Sequence, residues 1–458
     1  MKNLEAKEMK KKTIALLLAT AMVATMLTGC GKKEDNAPDG SNGAAVELNV
    51  TTTFAGNDGN AQNYKDAIAA FEKETGIKIN DSSATSDETF KARVETDFQS
   101  GSEPDVLFFF TGADANSFID EGKVKSIEEI RAEYPEYAEN MDAGKLPTSL
   151  VDGKQYAVPV NGFWEGMFCN QKILDAAGVE VPGADYTWEQ FLTDCQKIKD
   201  AGYTPIAAAL GNVPHYWWEF SIFNHTTPAT HVSVPASVEE GNGPAWVSGM
   251  NDIKALYEKG FFPENTLSAT DGETFELFMA DKAAFLIDGS WKVGGIVAAC
   301  QSDPEDPATL DTEKLNNFTV TYVPGQGERK ATDLIGGLSM GYYVTSKAWE
   351  DEAVREAAVK FVEYMTSDEI IPVFAQHTAT ALKNAPEVDP AQFNSLQVKA
   401  IDMMAGVTSL TAAVQDIFNG ECRVSTFESG MPQIVTGAVS AEDAVAEGLA
   451  VYAEMNNG

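Results

Sequence analysis

The 458 residues carry 33 Lys and Arg against 69 Asp and Glu, a formal net charge of −36 at pH 7. So acidic a chain is repelled by nucleic acid and by anionic membrane surfaces, which excludes both as partners. The length exceeds what one hydrophobic core ordinarily supports, so two domains are expected.

Near the start stands a basic cluster, Lys10-Lys11-Lys12, then an apolar run from Ile14 to Leu27 broken by Thr20 and Thr25, then Leu27-Thr28-Gly29-Cys30. A positive segment, a short apolar segment and small residues before a cleavage point make an export signal, expected over residues 1–29. The run falls short of the roughly 20 apolar residues of a spanning helix. The tetrad resembles the lipobox of bacterial lipoproteins. That resemblance implies lipidation of Cys30 and anchoring on the extracellular face of the cytoplasmic membrane, with the lipid as the sole contact to the bilayer. Each buried methylene of such an anchor adds about 0.8 kcal/mol. Gly, Asn, Asp, Lys and Ser dominate the stretch that follows. With so few apolar residues, positions 30–45 are expected to form a flexible tether.

Beyond the tether, strand and helix signals alternate. Val46 to Thr53 alternates apolar and polar residues and ends at the turn cluster Gly56-Asn57-Asp58-Gly59. Tyr64, Ala67, Ile68 and Phe71 recur at helical spacing, with Gly76 as the stop. Ile77 to Ile79 begins a second strand, Phe90 to Phe98 a second helix ended by Gly101, and Pro104-Asp105 opens the apolar strand Val106 to Phe110. Apolar strands between helices indicate a parallel sheet buried on both faces. Thr187 and Gln190 form a capping box for a helix reaching Ala201, with Gly202 beyond it. Glu352 to Met365 reads as another helix. No repeat is visible, and no second apolar stretch reaches spanning length. The fold class is α/β. In open α/β sheets ligands sit on loops at the carboxyl ends of strands, so the site is expected there.

Several stretches, in order, resemble family 1 extracellular solute-binding proteins. They are Phe71-Glu72-Lys73-Glu74-Thr75-Gly76-Ile77-Lys78-Ile79, Ser102-Glu103-Pro104-Asp105-Val106, Asp152-Gly153-Lys154-Gln155-Tyr156-Ala157-Val158-Pro159, Asn170 to Gly178, Thr187-Trp188-Glu189-Gln190-Phe191, Phe278 to Trp291, and Phe361 to Ser367. The likeness runs from about Val46 to about Pro386 and is weak in the last seventy residues. Two departures stand out: Cys169 where the family often has Tyr, and Ala280-Asp281-Lys282 in place of Gly-Lys. The resemblance implies a two-lobe, type II periplasmic-binding-protein-like fold with the ligand cleft between the lobes. It implies lobe 1 over 46–158 plus 341–405, and lobe 2 over 159–340 plus 406–458. It further implies a monomer that captures a mono- or oligosaccharide and delivers it to the permease subunits of an ABC importer.

A sugar offers apolar C–H faces for aromatic stacking and a ring of hydroxyls for carboxylates and amides. Trp291, in Asp288-Gly289-Ser290-Trp291 after an apolar strand, is the leading candidate, and its position resembles the family's stacking tryptophan. Asp288 either bonds the ligand or caps the next helix. Trp217 and Trp218, in His215-Tyr216-Trp217-Trp218-Glu219-Phe220, follow the Pro205-Ile206 strand, after which the family often places an aromatic ligand contact; at most two of these aromatics face one cleft and the rest pack in the core. Trp164 and Glu165, after the first crossing, either reach the ligand or pack the hinge. Asp58 lies where maltose-binding members of the family carry a sugar-binding Asp, or it fixes its own turn. Thr111 and Asp114 follow the Val106 to Phe110 strand and are similar candidates. Gly336 and Gly337 either admit a ligand closely or serve a hinge. Trp188 opens a helix and is assigned to packing.

Cys169, Cys195, Cys300 and Cys422 form no C-x-x-C pair, and the four histidines show no zinc spacing. No metal, no cofactor and no catalytic motif is expected. With so many carboxylates, a glycosidase pair chosen from sequence carries no weight. Three readings follow: a sugar-binding lipoprotein of an importer, a binding protein for another solute such as a peptide or polyamine, and a lipid-anchored polysaccharide hydrolase.

Overall fold

The computed structural model describes residues 46–56, 58–304, 306–384, 391, 393–418 and 420–457. Residues 1–29, Cys30 and the tether at 30–45 lie outside the described residues. Ten strands follow in the described chain: β1 Glu47–Thr51, β2 Lys78–Asp81, β3 Val106–Phe110, β4 Phe163–Asn170, β5 Thr204–Ile206, β6 Ala283–Gly289, β7 Phe318–Thr321, β8 Asp333–Gly337, β9 Met340–Val344 and β10 Ser409–Thr411. They form two sheets, each with helices packed on it, which are the two lobes of the α/β fold expected from sequence.

The first sheet has the order β2-β1-β3-β9. β1 runs parallel to β2 and β3, and β9 runs antiparallel to β3 with Val106 opposite Val344. Leu48 and Val50 are buried while Glu47 and Asn49 face outward, the alternation read from sequence. β3 is apolar throughout because helices cover both of its faces. Leu48, Val50, Phe71, Phe108 and Phe361 pack on one side, and Phe90, Leu107, Phe109 and Phe118 on the other.

The second sheet has the order β10-β8-β4-β6-β5, with β7 also paired to β4. β4 is antiparallel to β6, β7 and β8, with Glu165 opposite Gly289 and Phe163 opposite Gly337. One large core that includes Phe168, Phe191, Trp246, Phe285 and Ile335 covers it. The departure at Ala280-Asp281-Lys282 has a local reason. Asp281 takes a left-handed φ of 58°, a conformation Asp tolerates better than most side chains. Its carboxylate is held there by the Asn170 amide at 2.8 Å and the Lys172 ammonium at 2.6 Å.

The chain passes between the sheets at 158–163, at 337–340 and again between Leu382 and Ser395. Val158 bridges Tyr342 of the first sheet shortly before β4 opens the second. β8 ends at Gly337, whose φ of +148° suits glycine, and β9 begins at Met340. One boundary differs from the sequence reading. The helix Ser395–Ala405, placed at the end of lobe 1, buries Leu396, Ala400 and Met403 in the core of the second sheet. Its apolar stripe shows burial but not against which sheet.

Candidate functional site

The carboxyl ends of β1 and β3 lead into loops at 52–60 and 111–115, and the carboxyl end of β6 leads into Ser290 and Trp291. These loops meet. A β-carbon on Gly294, in the helix Lys292–Ala299, would overlap the Cα of Gly59 in the first lobe. A β-carbon on Gly112 would overlap the carbonyl oxygen of Asp416 in the second. The lobes are therefore closed on each other, with a cavity of about 160 Å³ between them. Thr111, Gly112, Leu150, Phe163, Gly337 and Asp416 are among its walls.

An aromatic group stands beside this cavity. The half-buried Trp291 ring lies 6.3 Å from Phe163 and 6.0 Å from Tyr216, tilted to both. The ring folds back over the end of β6, so close to Gly289 that any β-carbon there would overlap it. Behind it the Ser290 carbonyl faces His377 Nε2 at 3.4 Å, and the Trp164 indole donates to the His377 carbonyl at 3.0 Å. Burial lowers the His377 imidazole to about 4, which keeps it neutral.

A carboxyl group of four adjoins the aromatic one. Glu165 has no exposed surface, and neither of its oxygens has a hydrogen-bond partner among the described residues. Burial, then Glu219, Asp288 and Asp416, hold its carboxyl well above the ordinary range. Asp288 accepts a 2.7 Å bond from the Gly289 amide and stands 3.0 Å from the Lys292 ammonium. Burial still pushes it up to about 6. Lys292 also pairs with Asp271, to which it donates at 2.9 Å. Glu219 accepts the Val414 and Gln415 amides at 3.0 and 2.7 Å and faces His231 at 3.3 Å. These bonds fix the turn that carries Asp416. Burial, with Glu219 and Asp114 next, pushes Asp416 up to about 7.

Trp291, Asp288 and Glu165 thus gather where β4 begins and β6 ends, and Thr111 and Gly337 line the cavity. Asp58 accepts the Asn60 amide at 2.8 Å, the turn-fixing bond weighed as its alternative, and burial pushes it up to about 6. Asp114 pairs with Lys91 at 2.8 Å. Three candidates turn inward instead. Trp164 is fully buried and bonded to the His377 carbonyl. Trp217 packs edge-on to Phe262, and Trp218 stacks on Phe427 at 4.9 Å. Both sit on the helix His215–Phe223, which is buried on every side, so helical position exposed neither ring. Sequence reasoning missed Phe163, Tyr216 and Asp416. The first two neighbour named candidates, while Asp416 lies in the stretch of weakest family likeness and carries no motif. Among the described residues no group of three His, Cys, Asp or Glu is placed to hold a metal.

The sequence matches the family described as bacterial extracellular solute-binding protein over residues 56–371. It is 23% identical over 411 residues to the galactooligosaccharide-binding protein of Bacillus subtilis (strain 168), an alignment covering 86% of each chain. A chitin oligosaccharide binding protein superposes with a TM-score of 0.74 at 21% identity, over 91% of this chain and 100% of that one. The maltose/maltodextrin-binding domain MalE from Bdellovibrio bacteriovorus, bound to maltotriose, gives a TM-score of 0.66 at 19% identity, over 90% and 99%.

Proposed function

The chain belongs to the bacterial extracellular solute-binding proteins, and from that premise we propose that it captures a sugar or short oligosaccharide between its lobes and passes it to an ABC importer. One juxtaposition supports the reading: the half-buried Trp291, flanked by Tyr216 and by Phe163 of the cavity wall, beside a cavity whose polar walls are the Thr111, Thr148 and Ser339 hydroxyls and the Asp416 carboxyl. A ring of this kind covers the apolar face of a pyranose, and carboxyl oxygens accept its hydroxyls. Relatives that bear the names of galactooligosaccharide- and chitin-oligosaccharide-binding proteins support the same class. Trp291, Asp288, Glu165, Asp58, Thr111 and Gly337 are the proposed contacts. Asp114, paired with Lys91, is proposed to shape the rim.

The protein works as a monomeric carrier and not as an enzyme in this reading. Closure holds the ligand, and contact with the permease releases it. The lipobox-like tetrad supports anchoring through Cys30 at the extracellular face of the membrane. A thermal-shift screen over galacto-, malto- and chito-oligosaccharides tests the assignment. A true ligand at 100 times its Kd adds about 2.7 kcal/mol of stability and raises the melting temperature. Hydrolysis of any of these sugars on incubation, or a response to peptides alone, defeats the reading.

A further inference from the structure

Glu165 stands apart from the other charged groups of the cleft. A buried carboxyl without a partner costs free energy unless a proton, a cation or a ligand compensates it. Its charged neighbours are three more carboxyls, on three different elements: Glu219 on the helix His215–Phe223, Asp288 on β6, and Asp416 on the turn after β10. The cations nearby are engaged elsewhere. Lys292 is held by Asp271 and Asp288, Lys91 by Asp114, and Arg423 by Glu428. Glu219 and Asp288 are occupied by backbone amides. Of the four, Glu165 is the one with no exposed surface and no hydrogen-bond partner for either oxygen among the described residues.

Its position sets it one step behind the cavity wall. Side chains two apart on a strand share a face, so Glu165 lies on the same face of β4 as Phe163, next inward from the cavity wall. Asp416 forms another part of that wall. The cavity is far larger than the roughly 10–15 Å³ that admits one water. An anionic ligand is repelled here, and a neutral hydroxyl bonds Glu165 without compensating its charge. A protonated amine does both.

We infer that the ligand is a sugar bearing a protonated amine, seated with the amine against Glu165 and Asp416. This rests on the sugar reading and narrows it to amino sugars. With the site empty, burial and neighbouring carboxyls favour a proton on Glu165. The incoming ammonium replaces that proton as the compensating charge.

Calorimetric titration with three disaccharides of similar size tests the inference: the glucosamine dimer, its N-acetylated form and cellobiose. The titrations run at about pH 6, below the ~7.7–8 of an ordinary α-amine. The glucosamine dimer is expected to bind roughly 10–100-fold more tightly than the other two. Glu165→Gln keeps the shape and removes the charge, and it is expected to bring that ratio close to one. Asp416→Asn is expected to reduce the ratio by a smaller factor. The melting temperature of unliganded Glu165→Gln should equal or exceed that of the parent, because an unpaired buried carboxyl is gone. Equal affinity for all three disaccharides overturns the amine assignment and leaves the sugar reading standing. Binding of spermidine with no response to any saccharide overturns both.

Discussion

Trp291 owes its place to a neighbour without a side chain. Gly289 lets the indole fold back across the end of β6, where Tyr216 and Phe163, a wall of the cavity, flank it. Trp217 and Trp218 have the same chemistry and the opposite placement, fully enclosed by Phe262, Phe191 and Phe427. The two environments predict opposite phenotypes. Trp291→Ala should fold normally and bind saccharide about 10–100-fold more weakly, the loss of ~1.5–3 kcal/mol of ring contact. Trp218→Ala should lose ~3–5 kcal/mol of stability through its cavity. Calorimetry and denaturant titration on the pair read both effects. Unchanged affinity in Trp291→Ala would remove the ring from the site. Trp291 was legible because it follows an apolar strand directly, where loops meet ligands. Trp217 and Trp218 were not, because a helix apolar on every side has no face to read. Asp416 was not legible either, since its surroundings are assembled from distant segments by the Glu219 bonds to Val414 and Gln415.

At the scale of elements, the first half of the chain carried clear signals. The capping box of Thr187 and Gln190 is present in both directions and opens the helix Trp188–Asp200. Gly76 and Gly101 end their helices with φ of 74° and 72°. After Met365 the signals fade. Between the helices Ser395–Ala405 and Ala441–Asn457 the elements are short, including a π-turn at Val424–Glu428, and too few residues repeat there to show a period. The assignment of Ser395–Ala405 to the wrong lobe borders that region. The helix Lys292–Ala299 gives a test of how the elements close. Gly294 sits inside it, where alanine ordinarily favours the helix by ~1 kcal/mol. Its β-carbon would strike Gly59 of the other lobe. Gly294→Ala is therefore expected to leave stability unchanged or raised while holding the lobes apart. Ligand affinity should fall at least roughly tenfold, and small-angle scattering should give a larger radius of gyration with ligand present. If Gly294→Ala closes and binds like the parent, the Gly59–Gly294 contact does not limit closure.

At the scale of the whole molecule, four carboxyls that burial raises stand around the cleft, and they shape its response to pH. Burial raises Asp58 and Asp288 to about 6 and Asp416 to about 7, and Glu165 stands well above the ordinary range with them. A carboxyl raised in the folded state holds its proton there after the unfolded chain has lost it. Its contribution to stability is complete below the unfolded value near 4 and is lost as pH climbs through the folded value. While such a group titrates, the slope is about 1.4 kcal/mol per pH unit, less for Asp58 and Asp416, which water partly reaches. Glu129, Asp281 and Asp333 are held below the ordinary range, and their stabilisation is lost at the acid end instead. The unliganded protein should thus melt highest in mildly acidic buffer and progressively lower from about pH 5 to about pH 8. Self-repulsion of a chain with net charge −36 acts in the same direction. The two causes separate in about 1 M salt, where the Debye length is about 3 Å and long-range repulsion is screened while buried groups are not. The decline should survive the salt and flatten in the double variant Glu165→Gln, Asp416→Asn. A decline that salt abolishes would assign the effect to the surface, and one that the double variant leaves intact would take Glu165 and Asp416 out of it and leave Asp58 and Asp288.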